Sequence, residues 1–284
     1  MRKVIFIGLV IALCWFAADC ARAAELNLPK NAVAGQPLTI GTSGSGTLYL
    51  IGPGQVIKRD FKSGSVEIKG EELRSAGRWI AAVHGEKNQS QVFWVKPGKP
   101  ENLNFLARPS RVPVSRPDVI SGVTFIFDKY QNLVLDPTPV NFNLSVGSVG
   151  SSKSVTSRDG IAWTKSPSAT KAGAAQFVAS VGDTQVRRVV QQVASDPCNL
   201  RMHISGKNGN RVIVETDPIR DCGGNPLPDG TIVSFIQTDS SGRSTVDARI
   251  KKGTARAELP AADSATITVA AGVVLGNELH VGGK

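Results

Sequence analysis

The sequence predicts an all-β protein built from three tandem β-sandwiches. Beyond residue 25 no stretch keeps an apolar period of 3.6 residues, whereas short runs rich in Val, Ile and Thr recur along the chain. Gly (29) and Pro (16) are frequent enough to separate those runs with turns. One pattern is also written twice. "DKYQNLVLDPTPVNF" (Asp128–Phe142) returns 93 residues later as "DCGGNPLPDGTIVSF" (Asp221–Phe235), with Asp, Asn, Asp, Thr, Val and Phe in the same six places. A chain of 284 residues has room for two or three such units, at about 100 residues per sandwich.

Residues 1–23 read as a signal peptide. Arg2 and Lys3 precede an apolar run, Val4–Ala18, and "ARA" (Ala21–Ala23) places cleavage after Ala23. The run is short for a membrane span, which needs about 20 apolar residues. The membrane is therefore met only through the uncleaved precursor. Lipidation at Cys20 needs small residues just before it, and Asp19 stands there. The mature chain is expected to be secreted or periplasmic. Cleavage removes three basic residues and one acidic residue, so the net charge falls from +10 to +8. The remaining cations are dispersed, as in Lys58-Arg59, Arg187-Arg188 and Lys251-Lys252, without an aromatic-flanked basic motif. Nucleic acid is excluded as the expected partner, while anionic polysaccharide stays open.

The first sandwich is expected over 24–98. "AGQPLTIGTS" (34–43), "GTLYLIGPG" (46–54), "QVIKRDF" (55–61) and "SVEIKG" (65–70) read as strands, followed by "LRSAGRWIAAVHG" (73–85) and "SQVFWVKPG" (90–98). Trp79, Ala81 and Val83 share one face, which places Trp79 in a core. "KPGKPENLNF" (96–105) and "QQVASDPCNL" (191–200) contain Pro and read as short linkers, so the three units are expected to form a semi-rigid rod.

The second and third units, 99–195 and 196–284, follow one plan. An apolar run comes first, "VISGVTFIF" (119–127) or "RVIVET" (211–216), and then a polar loop of turn formers. In "TPVNFNLSV" (138–146), Val140, Phe142, Leu144 and Val146 alternate with polar residues; in the later copy Val233 and Phe235 take that apolar face. A Ser/Gly-rich turn follows, then strands beginning at "GIAW" and "GTARAEL". Gly160 matches Gly253 and Ala162 matches Ala255 at the same offset. "AQFVASVG" (175–182) aligns with "ATITVAAG" (265–272) after a three-residue deletion.

The order Asp–x3–Asn–x3–Asp–x–Thr–x–Val–x–Phe, then a Gly-Ala strand and a small-residue strand, resembles bacterial immunoglobulin-like domains of the invasin/intimin type. Asp221, Asn225, Asp229, Thr231, Val233, Phe235, Gly253 and Ala255 carry it, with Asp128 to Ala162 as the degenerate copy. It covers residues of about 100–284; the first unit is immunoglobulin-like by texture alone. The resemblance implies a tandem adhesion, spacer or assembly module that binds envelope or extracellular proteins, including copies of itself. It brings no catalytic residues and no cofactor.

Cys198 and Cys222 remain after cleavage, an even pair in an oxidising compartment. A bridge between them closes a loop worth about 3 kcal/mol. A metal site there needs more ligands, and His203 is the one histidine of that region. Asp217, Asp221 and Asp229 with Asn225 could chelate calcium, or simply cap turns through their own backbone. His84, His203 and His280 fall in three different strand-like segments and no nucleophile motif accompanies them, so no enzyme is expected. Tyr49, Tyr130, Trp94 and Trp163 are candidate exposed aromatics for stacking on sugar. Trp163 and Tyr130 are the candidate ligand contacts, since Arg256 replaces Trp163 in the later copy.

Overall fold

A computed structural model describes residues 26–85 and 88–282. The signal-peptide reading, with Cys20 and Ala23, lies outside them. Every regular element among the described residues is a β-strand. The chain divides into two compact units, Met1–Pro97 and Gly98–Lys284.

In the first unit the strands are β1 (Ala32–Val33), β2 (Leu38–Thr42), β3 (Gly46–Gly52), β4 (Gln55–Phe61), β5 (Gly64–Ile68), β6 (Gly77–Gly85) and β7 (Gln89–Lys96). They form a five-stranded sheet, β1-β7-β6-β3-β4, and a two-stranded sheet, β2-β5. Alternation decides the inner face. Leu48 and Leu50 on β3, Trp79 and Ala81 on β6, and Ile40 and Ile68 on the small sheet are fully buried. Trp79 sits in the core as its strand pattern predicts, and its indole Nε1 donates to the Ser75 carbonyl at 2.9 Å. Burying a ring of this size contributes roughly 4–6 kcal/mol. Gly52 lies flat against it: a Cβ at position 52 would fall 2.3 Å from the Trp79 ring.

The second unit begins with β8 (Asn102–Arg108), β9 (Arg111–Pro113), β10 (Ile120–Phe127), β11 (Pro139–Val146), β12 (Val149–Thr156), β13 (Ile161–Ser166), β14 (Gly173–Val181) and β15 (Thr184–Val193). Sheets β13-β10-β8 and β12-β11-β14-β15-β9 enclose one core. Phe105, Phe142 and Phe177 meet at its centre, with ring centroids 5.1–6.1 Å apart. The chain continues as β16 (Pro197–Cys198), β17 (Met202–Asn208), β18 (Arg211–Thr216), β19 (Arg220–Asp221), β20 (Ile232–Asp239), β21 (Gly242–Arg249), β22 (Arg256–Pro260), β23 (Ser264–Ala271) and β24 (Val274–Gly282). Sheets β17-β18-β22 and β21-β20-β23-β24, with the small pair β16-β19, surround a second, separate core centred on Phe235.

The sequence repeat is a structural repeat. β11 lies between β12 and β14, and β20 lies between β21 and β23, all antiparallel. Val140 and Phe142 in one and Val233 and Phe235 in the other are buried to at least 99%. Gly160 and Gly253 both adopt left-handed backbone, φ 77° and 88°, which a residue with a Cβ resists.

Three expectations need correction. The Ser/Gly-rich stretches read as turns are full strands, β12 and β21. They are edge strands exposed along nearly their whole length, so they show no apolar alternation, and only backbone pairing defines them. The segment read as the first linker supplies β8, which pairs with β10 over seven residues. In the second linker β15 runs on to Val193, and β16 follows at Pro197.

Candidate functional site

The twice-written loop is built around a buried carboxylate. Asp128 is fully buried just after β10. Its Oδ1 accepts from the backbone N–H groups of Tyr130 (2.9 Å) and Asn132 (2.8 Å). Its Oδ2 accepts from the Asn132 amide and from the Gly98 N–H, both at 2.8 Å. Asp221 repeats this arrangement. Its Oδ1 accepts from Gly223 N–H (2.9 Å) and Asn225 N–H (2.8 Å), and its Oδ2 from the Asn225 amide (2.9 Å) and Ser195 N–H (3.1 Å). Burial pushes the Asp221 carboxyl pKa up, but the hydrogen bonds from the Asn225 side chain and from the Asn225, Ser195 and Gly223 backbones outweigh it and hold the pKa below the usual aspartate value.

Asn225 does a second task. Its amide also donates to the Thr170 carbonyl at 2.9 Å, and its Oδ1 accepts from Ala172 N–H at 2.9 Å. Lys171 Nζ donates to the Gly223 carbonyl at 3.2 Å. The loop before β14 is thereby tied to the loop after β19, one core to the next.

Each carboxylate of the calcium reading has a partner of its own in this loop. Asp221 is saturated by N–H donors. Asp217 faces His203 at 3.3 Å, and Asp229 accepts from Lys252 N–H (3.1 Å) and Gly253 N–H (3.4 Å). Among the described residues no three His, Cys, Asp or Glu side chains gather as a metal site. Cys198 and Cys222 form a disulfide with Cα atoms 4.9 Å apart, which removes the metal alternative for that pair. His84 on β6, His203 on β17 and His280 on β24 stand in three different sheets.

The candidate aromatics separate by exposure. Trp94 is 65% and Trp163 is 62% exposed. Tyr49 and Tyr130 are half-buried, which corrects the reading of all four as exposed. Tyr130 lies in the turn of the Asp128 loop, beyond the end of β10, with the Lys129 ammonium 5.9 Å from its ring centre. Trp163 lies on β13 opposite Val123, and Val123 lies opposite Leu106 on β8. One row along, Ile161 pairs with Phe125 and Phe125 with Asn104; on the other side Lys165 pairs with Ser121 and Ser121 with Arg108. All these residues point away from the core, because the alternate residues Phe105, Ile120, Ile126 and Ala162 fill it. Of this face the sequence singled out only Trp163. The alternation in "NLNFLAR" could have added Leu106 and Arg108, but its first four residues read as the end of a linker.

Among solved structures the chain is similar to the Escherichia coli adhesin FdeC, with 13% identity and a TM-score of 0.63 over 92% of this chain and 99% of that one. The fold is immunoglobulin-like. This agrees with the resemblance to bacterial immunoglobulin-like repeats and extends the fold to the first unit, where sequence offered only texture. Invasin, a bacterial integrin-binding protein, matches at 14% identity and a TM-score of 0.48 over 89% of this chain and 57% of that one. A four-domain fragment of ICAM-5 matches at 11% identity and 0.42, over 91% and 75%. At those scores neither adds to the fold assignment. No family model matches the chain, and no curated protein matches it in sequence.

Proposed function

We propose that the mature chain is an exported, non-catalytic adhesion or scaffold protein of three tandem immunoglobulin-like sandwiches, 24–98, 99–195 and 196–284. It binds protein partners at the cell envelope or outside the cell. The observation that carries this is the outer face of the first unit's large sheet. Val92, Ile80, Ile51 and Val56 form one apolar row across four paired strands, and Trp94 stands one row away on β7. Val92, Ile51 and Val56 are 49%, 43% and 63% exposed. An exposed apolar row that crosses four strands, with a tryptophan beside it, supports a contact surface. An adhesin of the same fold, and a disulfide that needs an oxidising compartment, support the reading.

The test is capture from envelope extract by the mature protein and by an Ile51→Arg, Val56→Glu variant. Loss of the captured proteins with the variant is expected. Equal capture by both proteins removes the sheet face from the reading, and detection of hydrolase or transferase activity refutes the non-catalytic part.

Self-association rests on a separate observation. β7 and β15, the last strands of their sheets in sequence, are each covered by a short parallel strand, β1 and β9. The corresponding β24 is the last strand of its sheet; near its start Asn277 bonds to Leu200 and Met202 instead of to a covering strand, and Leu275 is 76% exposed. Light scattering across a concentration series tests it, and a strict monomer rules it out.

A further inference from the structure

The outward face of sheet β13-β10-β8 in the second unit has a composition that the rest of the fold does not require. Trp163, Val123 and Leu106 make an apolar row, Ile161 and Phe125 extend it, and Asn104 lies beside Phe125. Lys165 and Arg108 flank the row across Ser121. The exposures of Trp163, Leu106 and Ile161 are 62%, 49% and 36%. No outward residue of the three paired strands is a carboxylate.

The equivalent sheet of the next repeat provides an internal control. There Arg256 stands where Trp163 does and pairs with Glu215, while Glu258 stands where Lys165 does and pairs with Ile213. The shared scaffold therefore tolerates a mixed-charge surface at these positions. Packing does not require a tryptophan, an apolar row or an acid-free cationic flank, and their combination needs a ligand to account for it.

We infer that this face is a binding site for an anionic polysaccharide. The exposed indole presents a flat apolar platform for the C–H face of a sugar ring, and Asn104 offers both a donor and an acceptor for hydroxyls. Arg108 and Lys165 meet the carboxylate of a uronic acid residue, with a charge complementarity that no outward acid on the three strands cancels. A single tryptophan beside Phe125 and aliphatic side chains, with cations on one flank only, suits one or two charged sugar residues. The site is independent of the apolar face assigned above to protein partners.

The experiment uses the mature chain with polygalacturonate as probe and its methyl ester as the uncharged control. Binding is followed by tryptophan fluorescence and by affinity electrophoresis. The free acid is expected to bind and to perturb the fluorescence, and the ester to bind more weakly. Trp163→Ala should weaken binding about tenfold, equivalent to about 1.4 kcal/mol. Arg108→Gln with Lys165→Gln should remove the preference for acid over ester. Because these side chains are exposed, thermal unfolding should stay unchanged, and Trp163→Phe should restore part of the affinity. Three results would each overturn the proposal: no binding of polygalacturonate by the wild-type chain; equal binding by wild type and Trp163→Ala, which would leave only diffuse polycation attraction; or a loss of self-association in Trp163→Ala with no glycan bound by either protein.

Discussion

Replacing Asp221 by Asn changes one heavy atom at a buried junction. The carboxylate accepts from three backbone N–H groups, those of Ser195, Gly223 and Asn225, and from the Asn225 amide. In the Asp221→Asn variant one oxygen becomes an NH2 group, and every rotamer points it at a donor. The least costly rotamer turns it toward Ser195, whose half-buried N–H then lacks an acceptor, at about 1–3 kcal/mol. The remaining bonds lose their charge assistance, at roughly 1 kcal/mol each, and relief from burying a charge returns part of that. The expected net loss is about 2–4 kcal/mol. Native-state hydrogen exchange of the Ser195 and Gly223 amides is the suitable assay, because a chain of several cores does not unfold in one step. The pH dependence follows from the depressed pKa of Asp221. Its contribution is present above the ordinary aspartate value of about 3.9 and disappears as pH falls through the lower native value. The difference between wild type and variant should therefore close in acid. A loss below about 0.5 kcal/mol, the scale of ordinary surface substitutions, would refute this account of the junction. So would a difference that persists unchanged below the native pKa. Asp128→Asn should loosen Gly98 as Asp221→Asn loosens Ser195, since the two carboxylates hold matching donors.

Two other perturbations follow from the packing. Replacing Cys198 and Cys222 by Ser should destabilise the later repeat by about 3 kcal/mol, measured by urea unfolding against the oxidised wild type, and reduction of the wild type should produce the same loss. Gly52→Ala places a methyl group inside contact distance of the Trp79 ring, so it should cost about 1–3 kcal/mol and shift the fluorescence of that buried indole. An unchanged midpoint would mean that the sheet around Gly52 yields more readily than its packing implies.

Much of this fold was legible because its inner faces are written in alternation. Val140, Phe142, Val233 and Phe235 announce their strands, and the 93-residue echo announces that the strands belong to one plan. β12 and β21 were illegible for the opposite reason: these edge strands are exposed along most of their length and turn only Val155, Val246 and Ala248 partly toward a core, too few to display an apolar pattern. The Asp–Asn loop was readable as turn chemistry. Its long-range partners were not, since nothing local in sequence tells Ser195 or Thr170 that Asp221 and Asn225 will lie beside them. The face around Trp163 was half legible. Its outward direction follows from alternation on one strand, but the row it forms with Val123 and Leu106 exists only through cross-strand register.

The disulfide has a mechanical consequence. Tension entering the later repeat from β15 reaches Cys198 and passes directly to Cys222. The 24-residue separation between them is bypassed and cannot pay out when that core yields. At about 3.4 Å per extended residue, this withholds roughly 80 Å of contour length. A force-extension trace of the later repeat should therefore be short by that amount, and reduction should restore it. In a protein placed under tension between surfaces, such a bond limits how far a failed module lengthens.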